Sequence, residues 1–457
     1  MKSAGAVSPP SGAERMGTDK IPRLVLSFAA TTFAALVLNS LYSLTDALFV
    51  SWGVGDDAMG GVSAVFPFVI LQSAIATALG GGAASIVSRK LGEGNREEAG
   101  EYTLNAMAVF YFTAAAVTAV GFIAMNPLLS AMGATGSLQP YAKDYFVIIL
   151  AGNVFSTGFS SIIRAEGKML YAMLIWIIPI TVNIILDAVF ILALKWGVAG
   201  SAAATVICQF TSFCMCVLFF AAFSAQRFKG ARVRLSRIGE ILAVGIPSLI
   251  QTGSLSVMSL IINNLLSKTA GAQGVTAFGY MSKLFTYAAV PITALAQAMA
   301  PVVGYNYGAE KFDRAASAVK FCILASAVYA LPAFAVAEGA AEYLIMIFTD
   351  NGELIGFAAH GMRIAAVSLL FTALPALAGA AMQATGRKTA ALAYYSSALV
   401  FFIPLAFGLV RTGVSGLWWA YAAASAAAAV FTATGIIMRK IRFPHSAPPY
   451  FRERKTM

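Results

Sequence analysis

Long apolar runs alternate with short polar segments along almost the whole chain. An apolar run of about 20 residues can cross a bilayer as an α-helix. The pattern predicts twelve spans, at about 24–52, 60–85, 103–125, 141–163, 169–194, 197–222, 238–266, 274–302, 316–336, 359–382, 389–410 and 413–438. A transmembrane barrel would show short alternating segments instead. The expected fold class is therefore an all-α polytopic membrane protein.

The polar segments carry a second pattern. Basic residues gather in every other segment: Arg89, Lys90 and Arg96; Arg164 and Lys168; Arg227, Arg232, Arg234 and Arg237; Lys311, Arg314 and Lys320; Arg387 and Lys388. The intervening segments hold one basic residue or none, as at 53–59, 126–140 and 337–358. Cytoplasmic loops are the ones enriched in Lys and Arg. Both basic termini then fall in the cytoplasm, which requires an even number of spans. The net charge of +11 is thus a topology signal and not a nucleic-acid footprint.

The chain also repeats itself. Gly197-Val198-Ala199-Gly200 matches Gly413-Val414-Ser415-Gly416 at an offset of 216, and the same offset pairs Gly92 with Gly308. RAEGK (Arg164 to Lys168) resembles QATGRK (Gln383 to Lys388). Two six-span lobes follow: a disordered cytoplasmic tail at 1–23, an N-lobe at 24–222, a basic cytoplasmic linker at 223–237, a C-lobe at 238–438 and a cytoplasmic tail at 439–457. An even number of spans per lobe makes the repeats parallel, with the substrate site between them.

Composition narrows the function. The chain is 59% hydrophobic and 11% charged, against about 25% charged in soluble domains. The four cysteines lie inside apolar runs and read as packing residues. The two histidines, His360 and His445, form no metal-ligand pattern. No nucleotide-binding loop, Asp-rich metal motif or nucleophile–base set is visible, which argues against a membrane enzyme and against ATP-driven transport. No cofactor is expected.

Of the twenty acids, only Asp46 and Asp187 fall near the middle of a long apolar run. A carboxylate at that depth costs about 2.5 kcal/mol or more, which is tolerable where it faces a water-filled cavity and handles a proton or a cation; the alternative is a buried pair that serves packing alone. Asn183 lies one helical turn before Asp187, and Thr205 adds a hydroxyl in the next span. Tyr42 lies one turn before Asp46. If the acids converge in a dry interior they cannot both stay ionised, so the pair would accept a proton. With Asn183 and Thr205 added, the same set has the oxygens that a sodium ion needs. Both readings stay open. The second lobe has Ile262 where Asp46 would recur.

These residues carry a resemblance. LYSLTDALFVSW, LGEGNREEA with its counterpart YGAEKFDRA, RAEGK, NIILDAVFI and GVAGSAAATVICQ resemble the MATE (multidrug and toxic compound extrusion) antiporters of the MOP superfamily. The likeness spans all twelve helices and is nearest to the DNA-damage-inducible branch. It implies a cation-coupling site in the N-lobe at Asp46, Asn183, Asp187 and Thr205. It also implies export of organic, cationic and amphipathic compounds by H⁺ or Na⁺ antiport, with alternating access. Another branch places an acid in span 7, where this chain has Gln251. Two departures stand out: Thr31 replaces a proline fifteen residues before the acid, and Ser43 replaces an asparagine after Tyr42.

Tyr42, Asn153, Gln251 and Lys283 are further candidates for lining a substrate cavity. Asn153 is equally suited to bonding between helices. Lys283, near mid-span, would repel or gate a cationic substrate or anchor its lobe. The alternative function is a flippase for lipid-linked oligosaccharide precursors, from the related polysaccharide exporters. That reading calls for a strongly cationic cavity. The expected setting is a bacterial-type cytoplasmic membrane, with small organic molecules and lipid as partners, and a monomeric chain.

Overall fold

The computed structural model describes residues 12–438, apart from 133, 135–137, 157 and 229. Twelve helices among these residues are long and apolar enough to cross a membrane, at the places that the hydropathy pattern predicts. In order, α1 (Gly12–Thr18) is a short polar helix. It is followed by α2 (Ile21–Gly53), α3 (Asp56–Gly92), α4 (Arg96–Ile123), α5 (Met125–Ala131), α6 (Leu138–Gly152), α7 (Ser160–Ala165), α8 (Met169–Asp187) and α9 (Val198–Leu218). Then come α10 (Leu235–Gly308), α11 (Phe312–Gly339), α12 (Ala341–Met346), α13 (Gly352–Ala366), α14 (Ala373–Ala384), α15 (Lys388–Leu409) and α16 (Val414–Met438). The left-handed backbone of Gly271 breaks α10 into two spans.

One difference from expectation is at the start. The stretch 1–23 was expected to be a disordered tail, yet it holds α1 and the first turn of α2. Met16 is fully buried, and Pro22 opens α2 where a proline costs no hydrogen bond. Residues 1–11 and the tail 439–457 lie outside the described residues.

Packing divides the chain into two compact units. One comprises residues up to Lys20 and Ala34–Gly245; the other comprises Ile21–Phe33 and Ile246 onward. The division falls beyond the basic linker at 223–237 because the first unit holds that linker through hydrogen bonds. Glu166, in the RAEGK turn, is fully buried. Its carboxylate accepts from Ser224 Oγ (2.6 Å), the Ala225 amide (2.7 Å) and Gln226 Nε2 (2.7 Å). Burial pushes the Glu166 carboxyl above its ordinary range, and these donors pull it back. Thr103 on α4 donates to Gln226, and Asn105 bonds the backbone of Arg232 and Arg234. Arg237 then pairs with Glu98 at 2.8 Å.

The repeat is visible in the backbone. Left-handed residues recur at the offset of 216: Gly55 with Gly271, Gly94 with Glu310, and Gly197 with Gly413. The fourth and tenth spans are both interrupted. A 3₁₀ turn at Asn153–Phe155 separates α6 from α7, and another at Val367–Leu370 precedes α14. At the first break Gly158 lies directly on α3. A Cβ there would meet the Ala76 carbonyl, and one on Gly80 would meet the Gly158 carbonyl.

Glu166→Ala removes one acceptor from three donors at once, each left unsatisfied at about 1–3 kcal/mol if it stays buried. The linker is expected to loosen, and limited trypsin digestion should cut at exposed Arg227 several-fold faster than in the parent protein.

Candidate functional site

The site lies in the first unit, where α2, α6, α8 and α9 meet. Asn183 and Asp187 share one face of α8 and both are fully buried. Immediately after Asp187 the helix widens into a π-helical turn, Ala188–Ala193. Such turns mark places where a regular helix is distorted for function. Gly200 on α9 packs against Phe190 in this turn. The two helices are thus close enough for their polar faces to meet.

Asp46, half-buried on α2, accepts a hydrogen bond from Ser201 Oγ of α9 at 3.0 Å. Its carboxylate also meets that of Asp187, side chain to side chain. Tyr42 from α2 and Tyr145 from α6 flank Thr205, one turn after Ser201, too loosely to complete a hydrogen bond to its hydroxyl. The expected coupling set of Asp46, Asn183, Asp187 and Thr205 is therefore gathered in one place, with Tyr42 beside it.

The electrostatics of this place are incomplete. Both carboxylate oxygens of Asp187, both amide atoms of Asn183 and Thr205 Oγ1 are buried and complete no hydrogen bond with another protein group among the described residues. An unmet buried polar group costs about 1–3 kcal/mol, and a charged one costs more. A proton held between the two acids would meet part of the demand, and a cation would meet more of it.

Ser201 and Tyr145 were not picked out from the sequence. Ser201 had a signal, since it lies four residues before Thr205 and shares its face. Tyr145 had none, because one tyrosine in an apolar span looks like any core aromatic.

The other cavity candidates lie apart. Asn153 is buried, and its amide donates to the Ala114 carbonyl and to Thr118 Oγ1, both at 3.1 Å. It thus fastens the break in span 4 to α4, so the role in bonding between helices is the one the structure displays. Gln251 is half-buried on α10 and belongs to the second unit. Lys283 also belongs to that unit. It stands a few residues into the span Ala277–Gly308, not near its middle, and its Nζ lies 5.8 Å from the centre of the Phe348 ring. A position so near the end of a span fits an anchor at the bilayer edge.

Across the repeat the chemistry vanishes. Ile262, where Asp46 would recur, is buried in the core of the second unit with Phe402, Ala406 and Leu417. The corresponding stretch of α15, Leu399 to Ala406, has no polar side chain.

Comparison with known proteins identifies the family. The MatE family model matches residues 32–189 and 247–407, both halves of the repeat. The chain belongs to the MATE family. It is 22% identical over 407 residues to the multidrug export protein MepA of Staphylococcus haemolyticus, covering 87% of this chain and 89% of the relative. It is 22% identical over 422 residues to a FAD transporter of Shewanella oneidensis, covering 87% and 90%. A solved outward-facing multidrug resistance MATE transporter of the MOP superfamily shares the fold. Its TM-score is 0.87 at 23% identity, over 94% of this chain and 98% of that one. This MATE-family transporter is a multi-pass protein of the inner membrane.

Asp187→Asn replaces a carboxylate lacking a donor by an amide able to donate to Asp46. The variant is expected to gain about 1–3 kcal/mol of stability. Its unfolding midpoint in detergent, at neutral pH and without added sodium, should rise above that of the parent.

Proposed function

We propose that this transporter exports organic, amphipathic cations in exchange for protons or sodium ions bound at Asp46, Asn183, Asp187 and Thr205. The observation that carries the reading is the cluster of buried oxygens without donors around two facing carboxylates. A helix bundle that keeps so costly a cluster gains from it when something positively charged binds there.

The cycle follows from that demand. An ion arriving from outside binds the acid pair and shifts the population toward the state that releases substrate outward. Release of the ion to the cytoplasm resets the protein, so the two lobes alternate in exposing the site as a monomer acts. The cluster belongs to the resemblance with the DNA-damage-inducible branch, which places its cation site in the N-lobe. The flippase reading is not favoured, since the relatives named above are a multidrug export protein and a FAD transporter.

Asp46→Asn keeps the shape of the side chain but removes the charge on which the pair depends. In proteoliposomes loaded with a cationic dye, the parent protein is expected to move dye when a pH or sodium gradient is imposed. The D46N variant should lose at least nine-tenths of that rate at equal reconstitution. Full gradient-driven transport by D46N would rule out the coupling role, and transport by the parent with neither gradient would rule out antiport.

A further inference from the structure

The acid pair and its amide neighbour do not exhaust the orphaned polar atoms in the first unit. Gln209 on α9 also turns its Oε1 into the protein with no partner. It lies four residues after Thr205, which itself lies four after Ser201, so the three side chains form a ladder along one helix face. Cys208, the neighbour of Gln209, interacts with both Asp187 and Tyr42. This turn of α9 therefore borders the acid site and does not point to a distant surface.

The oxygens in this ladder discriminate between the two coupling ions. A proton shared by two carboxylates needs only those two groups, and a neutral amide oxygen one turn away contributes nothing to it. A hard cation collects several oxygens, neutral and charged together. The unpartnered oxygens are the two of Asp187, the Asn183 carbonyl, the Thr205 hydroxyl and the Gln209 carbonyl. Leaving all of them unmet is costly for a proton site and suitable for a cation site.

We infer that Gln209 is an ion-specificity residue: its carbonyl oxygen extends the acid site by one turn of α9 and makes sodium the coupling ion. The inference rests on the antiport reading above and adds the identity of the ion and a further ligand. Gln209 acts with Asp187, Asn183 and Thr205 in stripping water from the sodium ion. A leucine there would leave the acids intact and weaken the site for sodium far more than for a proton.

The test uses the full chain, purified and reconstituted, as the parent, Gln209→Leu and Gln209→Asn. Two readouts are taken: the sodium concentration that half-saturates dye transport, and the rise in unfolding midpoint on adding sodium chloride as against potassium chloride. The parent is expected to be stabilised by sodium specifically. Q209L is expected to need at least tenfold more sodium for half-saturation, with its maximal rate within twofold of the parent. Q209N, which keeps a shorter amide, should fall between them. The midpoint in potassium chloride separates a folding defect from a binding defect, because only binding makes the loss sodium-specific. Equal half-saturation for Q209L and the parent would overturn the inference. So would a parent driven by a pH gradient and indifferent to sodium in both readouts, a result that leaves antiport standing. A parent that responds to neither gradient would overturn both.

Discussion

A carboxylate enclosed by helices, with no donor within reach, is an electrostatic demand that the fold itself leaves unmet. Asp187 is in that position, fully buried and facing Asp46. Ser201, the donor that Asp46 engages, completes no bond to Asp187. The surroundings follow from that demand. Asn183 stands one turn away on the same face, Thr205 opposite, and the backbone of α8 departs from α geometry as soon as Asp187 is passed. Hydrophobic packing holds this arrangement in place. Val50, Phe146, Ile149, Ile191 and Val198 form an apolar core in the same unit, packed around the helices that carry the polar groups.

The second unit shows that the demand is optional for the fold. It has the same succession of spans, the same interrupted tenth helix and the same left-handed turns at Gly271, Glu310 and Gly413. In place of the acid pair it has Ile262 against Phe402, Ala406 and Leu417. Apolar side chains therefore suffice to build a six-span unit. The second unit thus builds its six spans without a counterpart of the acid pair.

Much of this was legible in the chain. Span positions follow from hydropathy alone, since a bilayer enforces regular helices of fixed length. Asp46, Asn183, Asp187 and Thr205 could be named because ionisable groups in apolar runs are rare and helical spacing fixes which of them share a face. Other features could not be read. Sequence gives the face of a helix but not the element across from it, so Tyr145 on α6 was invisible. The amide of Asn153 could serve a cavity or a neighbouring helix equally well, and only the position of Ala114 and Thr118 decides between them. Polar composition made residues 12–18 look unstructured, although the turn of helix there buries Met16.

The recurrence of left-handed turns at one offset has a consequence for how such a protein diversifies. Turn geometry is shared by Gly197 and Gly413, and by Gly94 and Glu310, though most of the side chains between those turns have diverged. A duplicated backbone can thus behave as a chassis, whose corners tolerate little revision while a few inward positions are free to drift. The apolar copy then serves as a blank template. It offers the same helices without a counterpart of the acid pair, on which a new pair of polar faces could arise while the working copy continues to serve the cell.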